Sequence, residues 1–481
     1  MGEGISTDEA DSDADQLSVP ADHSPVRSLT TGRRARKRAA VEPLPLLGDA
    51  LAETVGHFFP RLNRWISDFL EFRCAGKIVY VQEFCIWSGF SLFVRGLGSR
   101  RQFDHESRQD SATSQQCLLQ NLNRLAKTDA ADLMHGDTLN DYLEQLPSRY
   151  LESLPQRMVQ RLERMRVLEY ARLQDDYLIA VDATGLWSWN KRHCDSCLHQ
   201  THNGVTTYYH LVLEAKLVTP DGMALSVCSE FVENGDPLAD KQDCELAAIP
   251  RLMAKLKIIF PRLPICLLFD ALYANQTVLR LCRENGWSWI ISFKEGSLPT
   301  VFGEFHTLKL LAPHQVLEID VEDRYQRLSW MHDLEHAGFR FAAFDCLTYN
   351  DKGEGVYFAW ITNRSVRRDT VCELANQGGR KRWTIENQGF RNQKHQEYNL
   401  EHPYSDHPMA LKNYYFIIQI VHIFMQLLVR GRLAGVFRGS ICSIKNLFRR
   451  LANSFLYELI PAEAVDPVHL TAIQIRLTDT S

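Results

Sequence analysis

The chain has 481 residues, of which 45% are hydrophobic and 23% are charged, and its formal net charge is −5. This balance is ordinary for a globular protein of two to four domains, and it excludes a basic field over the whole surface. A DNA partner would therefore have to meet local basic patches. The 12 cysteines are scattered irregularly, which excludes a disulfide framework and favours a reducing compartment.

The ends and the apolar runs of the sequence predict a cytoplasmic protein that does not enter a membrane. The first residues are polar and contain no apolar segment of a signal peptide. The most apolar run, residues 414–429, is slightly short for a membrane span and contains Gln419, His422 and Gln426. We therefore expect this run to form a buried helix.

Two regions precede the first predicted strand. Residues 1–40 are polar and predict a disordered tail, whose basic cluster at 33–38 is either a solvated segment or a DNA-backbone contact. Residues 41–175 predict a helical domain, because Leu and Met recur at three- and four-residue spacing. Arg100 and Arg101 follow a glycine-containing loop that either touches phosphates or is a generic turn.

From residue 176 the periodicity changes to that of strands, and the element order predicts an α/β protein with a ribonuclease-H-like mixed sheet. We expect this core at 176–298 and 370–430, with a β-rich insertion at 299–369 and C-terminal helices at 431–481. The predicted core strands are 177–183, 205–219, 224–232, 264–270 and 287–293, and its predicted helices are 240–258 and 275–285.

Three carboxylates stand out against this framework. Asp182 and Asp270 each end an apolar run that predicts a buried strand, and Glu386 lies in a predicted helix between cations. In the predicted sheet the two aspartate-bearing strands are neighbours. Three carboxylates brought together suit a pair of Mg²⁺ or Mn²⁺ ions and phosphoryl-transfer chemistry.

These stretches resemble the DDE transposases of bacterial insertion sequences, in the group with a Tyr-Arg-Glu-Lys signature on the acidic helix. The resemblance covers about residues 130–430. It rests on Val181-Asp182-Ala183-Thr184-Gly185, Phe269-Asp270-Ala271-Leu272-Tyr273-Ala274-Asn275, Arg382-Trp383-Thr384-Ile385-Glu386 with Phe390 and Lys394, and Tyr398-Asn399-Leu400-Glu401-His402.

The resemblance implies a DNA-cutting and DNA-joining enzyme, an endonuclease acting in DNA transposition and recombination. Asp182, Asp270 and Glu386 would then be the catalytic residues and the Mg²⁺ or Mn²⁺ ligands. The N-terminal helices would bind the terminal inverted repeats, and a homodimer would pair the two ends before insertion into target DNA. The residues expected to contact DNA phosphates are Arg382, Lys394, Arg391, Arg100 and Arg101.

Two positions depart from the signature. The expected Tyr is replaced by Gly379, and seven residues rather than six separate Glu386 from Lys394. A π-bulge near Gly389 would absorb the extra residue. In an uninterrupted α-helix Lys394 would lie about 80° round from Glu386.

A short Cys/His tract between the first two predicted strands suggests a second metal site. Cys194 and Cys197 have CxxC spacing and predict a zinc site together with His202 and either His199 or His193. An exposed loop with incidental Cys and His is the alternative, and a redox CxxC is a further one.

Two other functions remain open at this stage. An inactive or co-opted transposase would bind a DNA site without cutting it, and a ribonuclease-H-like nuclease would cut without strand transfer. Metal-dependent DNA cleavage would distinguish an active transposase from an inactive or co-opted one. Joined DNA strands among the products would distinguish a transposase from a nuclease.

Overall fold

The computed structural model describes residues 47–109, 111–234, 242–322, 324–349, 353–431 and 443–465. The predicted tail at 1–40 and its basic cluster lie outside these residues. Residues 432–442 and 466–481 of the predicted C-terminal segment also lie outside them.

Helices fill the described chain up to residue 164, as the spacing of apolar residues predicts. In the last of these helices Leu154, Met158 and Leu162 are fully buried, because three- and four-residue spacing places them on one face. The helices are α1 (Leu47–Phe58), α2 (Leu62–Ser67), α3 (Gln82–Val94), α4 (Arg100–Gln109), α5 (Ala112–Ala126), α6 (Gly136–Gln145) and α7 (Arg149–Arg164).

The strands of the described chain form one mixed sheet in the order β3-β4-β2-β6-β7-β11-β10-β9-β8, in which β5 also pairs with β4 and β1 with β2. The β2–β6 and β6–β7 pairs are parallel and the other pairs are antiparallel. The strands are β1 (Arg172–Leu173), β2 (Asp176–Trp189), β3 (Leu198–His202), β4 (Val205–Val218), β5 (Ala224–Val232), β6 (Ile265–Phe269), β7 (Ser288–Ser292), β8 (Val316–Val321), β9 (Arg324–His336), β10 (Phe339–Tyr349) and β11 (Gly355–Thr362).

The predicted α/β class with a mixed sheet is confirmed. The β4–β5 hairpin lies where its alternating pattern placed it, and Gly222 supplies the positive φ of +86° that its turn requires. Helices α8 (Glu245–Ile259) and α9 (Gln276–Asn285) follow β5 and β6. Strand β2 is longer than expected and continues to Trp189, beside β4.

The insertion at 299–369 begins with a helix, α10 (Pro299–Leu311), and continues as β8 to β11. It extends the main sheet, because β11 pairs with β7 from Trp360 to Thr362. Its strands therefore belong to the same sheet as β2 and β6.

The two faces of the sheet have different covers. On one face, Ile179 and Val181 of β2 belong to the hydrophobic core that contains the N-terminal helices and α13 (Pro408–Arg430). On the other face, Leu178 and Ala180 belong to the hydrophobic core that contains residues of 371–395. This division follows from the two-residue period of a strand. Helices α14 (Ile444–Tyr457) and α15 (Ala462–Val465) complete the described chain.

The apolar run at 414–429 lies within α13, and most of its side chains are buried against other helices and the sheet. None of the described helices is both long and apolar enough to cross a membrane.

Candidate active site and metal centre

Asp182 and Asp270 belong to neighbouring parts of the sheet. The parallel pairing of β2 with β6 runs to Ala180 and Leu268, and Asp182 and Asp270 each lie two residues beyond it. Neighbouring strands are about 4.8 Å apart. Asp270 follows the last residue of β6, and its Oδ1 accepts a hydrogen bond from the Leu272 backbone N–H at 2.9 Å. Asp182 lies in the middle of β2 rather than at its end, because β2 is longer than predicted, whereas Asp270 directly follows β6, the strand beside it.

Glu386 reaches Asp182 through an arginine. Nη1 of Arg382 lies 3.3 Å from Oδ2 of Asp182, and its Nη2 lies 2.7 Å from Oε1 of Glu386. Arg382 is only 6% exposed, and its guanidinium stacks 4.8 Å from the centre of the Trp383 ring. One buried cation thus binds a carboxylate from the sheet and a carboxylate from the segment at 371–395.

These contacts set the protonation of Asp182. Burial raises the pKa of Asp182 to about 7, with Arg382 opposing the rise and the charge of Glu386 adding to it. Two crowded carboxylates with a single guanidinium between them leave negative charge that is not fully balanced. The arrangement therefore favours either a proton or a further cation at Asp182.

A fourth carboxylate, which the sequence did not single out, lies near Asp270. The hydroxyl of Tyr273 donates to Glu245, the first residue of α8. Burial raises the pKa of Glu245, the Tyr273 hydrogen bond opposes this, and the charge of Asp270 adds to it. No signal in the sequence links Glu245 to Asp270, because the contact depends on how α8 returns to the sheet.

The segment that carries Glu386 changes helix type along its length. It runs through α11 (Val371–Glu373), a π-turn, a 3₁₀ turn, a second π-turn at Ile385–Phe390 and α12 (Arg391–His395). The π-bulge predicted near Gly389 is therefore present. A π-turn takes up one more residue than an α-turn, so Lys394 returns to within about 20° of the face of Glu386.

Glycines at 379 and 389 are explained by their neighbours. A Cβ at Gly379 would overlap the indole ring of Trp360, which leaves no room for the Tyr of the signature. A Cβ at Gly389 would lie 3.2 Å from both Cδ and Cε of Lys216, tighter than most real contacts. The second π-turn thus lies directly on the Lys216 side chain.

Lys216 belongs to a buried polar network next to Gly389 of the second π-turn. Its Nζ lies 3.4 Å from Oε1 of Glu214 and donates to Oε1 of Gln419 at 2.6 Å, and both charged side chains are fully buried. Burial lowers the pKa of Lys216, and Glu214 opposes this shift. The carboxylate of Glu214 also accepts hydrogen bonds from Ser226, Ser229 and Tyr415.

The residues predicted to contact DNA differ in their availability. Arg100 is engaged in the fold: its Nε donates to the Tyr404 carbonyl at 2.6 Å, and its Nη1 lies 3.0 Å from Asp137. Lys394 pairs with Glu401 at 2.8 Å. Arg101 and Arg391 are exposed.

A basic cleft of about 510 Å³ lies between α2 and the C-terminal half of α7. Arg157, Arg161 and Arg164 share one face of α7 because they are four and three residues apart. Nε of Arg161 is buried without a hydrogen-bond partner. None of the described residues lining the cleft is acidic: they are Pro60, Arg61, Trp65, Arg157, Gln160, Arg161 and Arg164.

The Cys/His tract forms a cluster, but with a different ligand set from the predicted one. Ligand atoms of His193, Cys194, Cys197 and His210 all lie within 4.8 Å of one another. His199 and His202, which the sequence suggested as ligands, lie on exposed positions of β3 and are not part of this cluster, whereas His210 is. They follow the cysteines closely in sequence, but β3 directs them away from the buried His210 on β4.

Among the described residues, no other group of at least three His, Cys, Asp or Glu side chains meets this spacing, and that includes Asp182, Asp270 and Glu386. In this structure Arg382 is bound to two of the three carboxylates, and Asp270 caps a turn. Burial, followed by the hydrogen bond and charge of Cys197, raises the pKa of Cys194 to about 11.

The sequence was also compared with families and with known proteins. No protein-family model matches the chain, and the search of curated proteins gave no match.

Proposed function

We propose that the protein is a DDE transposase that cuts DNA at the ends of a mobile element and joins the freed 3′-OH to target DNA. The observation that carries this proposal is that two carboxylates from distant parts of the chain, Asp182 and Glu386, share Arg382. Asp270 directly follows β6, the strand that runs parallel to the Asp182 strand.

The order of strands supports a ribonuclease-H-like core. Within the sheet, β5-β4-β2-β6-β7 are consecutive neighbours, with β2 central and β6 parallel to it. This is the arrangement in which the first and fourth core strands lie together. The segment with Glu386 covers one face of these strands, and the insertion precedes it in the chain.

The chemistry of the donors fits a hard divalent cation. Asp182, Asp270 and Glu386 offer only carboxylate oxygens, which suit Mg²⁺ or Mn²⁺ rather than a softer ion. Burial is the main cause of the raised pKa of Asp182 and the charge of Glu386 adds to it, and a bound cation would stabilise the deprotonated carboxylate against both. When bound, such ions lower the pKa of an attacking water or 3′-OH and stabilise the leaving oxygen. These three residues would hold them.

Side chains near Glu386 supply the positive charge and the aromatic surface that binding of DNA also requires. Arg382 is buried and held by its two carboxylates and by Trp383, so in this proposal it orients Asp182 and Glu386 and adds a positive charge next to them. Arg391 and Lys394 extend this basic side of the segment. The 48% exposed ring of Trp383 offers a surface on which a base can stack.

Cation binding is expected to depend on pH with a defined sign. The pKa of Asp182 is about 7 in the folded protein and about 4 in the unfolded chain. Without metal, the protonated carboxyl therefore stabilises the fold fully below about pH 4, and this stabilisation is lost as the pH rises through 7. Binding Mg²⁺ requires the deprotonated carboxylate. The rise in Tm caused by Mg²⁺ should therefore be larger at pH 8 than at pH 6.

Thermal unfolding with and without Mg²⁺ at the two pH values measures this difference. Asp182→Asn is the control, because it removes the titrating group while keeping its size, and it should show no pH-dependent gain. An equal Mg²⁺ effect at pH 6 and pH 8 in the unsubstituted protein would contradict the assignment.

The basic cleft is the proposed binding site for the DNA backbone in the helical region. Four arginines without a lining carboxylate suit phosphate oxygens, although the whole chain is acidic. Replacing Arg157 and Arg161 together with Gln should weaken DNA binding for all sequences. The slope of log affinity against log salt should fall by about 2, close to one for each lost phosphate contact.

Binding measured by fluorescence anisotropy over a series of salt concentrations tests this prediction. Arg280→Gln is a matched control, because Arg280 is exposed on α9 and pairs with Glu284 at 2.8 Å. An unchanged slope in the double variant would remove the cleft from the DNA interface.

The function itself is tested with the protein and a DNA fragment that carries its gene with flanking DNA. We expect Mg²⁺- or Mn²⁺-dependent nicks at inverted repeats and products in which those ends are joined to a second DNA. Binding without cleavage would favour a DNA-binding protein derived from a transposase. Cleavage without joined strands would favour a ribonuclease-H-like nuclease.

We further propose that it acts as a homodimer on paired ends in the bacterial cytoplasm, associated with the nucleoid. Pairing two ends requires two active sites. A reducing compartment suits the cysteines, which are free thiols throughout the described chain.

A further inference from the structure

Two thiols and an imidazole converge at the far end of β2, away from the carboxylates. Sγ of Cys194 lies 3.5 Å from Sγ of Cys197, and Nε2 of His210 lies 3.4 Å from each sulfur. The cysteines belong to the connection between β2 and β3, whereas His210 lies on β4. The three atoms form a nearly equilateral triangle.

This triangle has the size of one face of a tetrahedral zinc site. Zn–S bonds of about 2.3 Å and Zn–N bonds of about 2.0 Å at tetrahedral angles give S···S distances of roughly 3.8 Å and S···N distances of roughly 3.5 Å. The observed distances are slightly shorter. A disulfide would draw the sulfurs to about 2.0 Å and would give the imidazole no reason to lie equally close to both.

His193 supplies the fourth donor. Its Nδ1 is buried and has no hydrogen-bond partner, which is unfavourable for a polar atom. Its ring stacks on Trp189 at 4.1 Å with an interplanar angle of 12°, which fixes its orientation. Its Nε2 lies 3.9 Å from Asp406. A metal ion would give the buried nitrogen its partner.

The surroundings resemble the outer shell of a metal site. Nδ1 of His210 faces Oε1 of Glu233 at 3.7 Å, and Lys412 pairs with the other carboxylate oxygen at 2.6 Å. A carboxylate behind a ligating histidine fixes its tautomer and orientation. The side chain of Asn234 donates to the Cys197 carbonyl at 2.9 Å, which ties the loop to the end of β5.

We propose that His193, Cys194, Cys197 and His210 bind one structural Zn²⁺ ion. Two thiolates and two imidazoles in a closed tetrahedron leave no position open for substrate. Asp182 lies seven residues before Trp189 on β2, about 20 Å along the strand, so this ion is separate from any metal at the carboxylates. The zinc joins the β2–β3 loop to β4 and holds it near Asp406, which precedes α13.

Metal content of the purified full-length protein tests the proposal. Protein produced with zinc and kept reduced should contain one zinc per chain by inductively coupled plasma mass spectrometry. Cys194→Ser and His210→Gln should each lose most of it. His199→Gln and His202→Gln are matched controls from the same tract and should retain one zinc per chain.

A second measurement does not depend on how the variants fold. Unsubstituted protein stripped of metal and titrated with Co²⁺ should develop the visible absorption of tetrahedral cobalt with thiolate ligands, saturating at one ion per chain. Absence of both zinc and this spectrum would overturn the proposal. Loss of zinc in the His199 or His202 variant, with retention in His210→Gln, would overturn the ligand set.

Discussion

Replacing Glu386 with Gln is expected to abolish DNA cleavage and strand joining while leaving DNA binding intact. The substitution keeps the volume of the side chain but removes one of three carboxylates that would hold the metal ions. Transition-state stabilisation of several kcal/mol depends on those ions, and 4 kcal/mol corresponds to a rate loss of about 10³-fold.

The fold should survive this substitution. Arg382 loses its charged partner at 2.7 Å but keeps Asp182 at 3.3 Å, and the amide oxygen of the introduced Gln can still accept a hydrogen bond from the guanidinium. Cleavage, joining and gel-shift binding measured on the same preparation separate chemistry from binding. Glu304→Gln, at an exposed position of α10, is the matched control and should remain active. Full activity in Glu386→Gln would sink the proposed catalytic role.

Replacing Lys216 with Met is expected to reduce the free energy of unfolding by about 3–5 kcal/mol. The change keeps most of the stem under Gly389 but leaves Glu214 buried without its cation, and breaking a buried pair on one side carries a cost of this size. Urea denaturation of the variant and the unsubstituted protein, with comparable m values, measures the difference.

Two comparisons identify the cause of that loss. Lys216→Met combined with Glu214→Gln removes both charges and should recover part of the stability, because no isolated ion remains in the core. Lys77→Met, at an exposed position, should change stability by less than about 0.5 kcal/mol. A Lys216→Met protein as stable as the unsubstituted one would mean that the pair is not charged in the fold.

Local patterns predicted the elements of the core well, because strands and hairpins follow from two-residue alternation and turn residues. The adjacency of Asp182 and Asp270 also follows from the order of elements. The contact of Arg382 with Asp182 could not be predicted from the order of elements, because the two residues are 200 positions apart. Such contacts depend on how a whole segment packs over the sheet.

The Cys/His cluster shows where local sequence patterns are insufficient. Cys194 and Cys197 were found because their spacing is local, whereas His210 lies in an ordinary strand and belongs to the set only through the β3–β4 pairing. The basic cleft, in contrast, had a visible signal. Arg157, Arg161 and Arg164 repeat at helical spacing, and this repeat was the signal. The prediction for this helix used only its apolar residues, which pack in the core.

The π-turn at Ile385–Phe390 has a consequence for how such proteins are recognised. A signature written as a fixed number of residues assumes one type of helix throughout. Here the chain carries one residue more than the signature, yet the rotation between Glu386 and Lys394 is nearly that of the shorter spacing. A pattern defined by angle around the helix axis would match the spacing of Glu386 and Lys394 in this chain, whereas a pattern defined by counting residues would not.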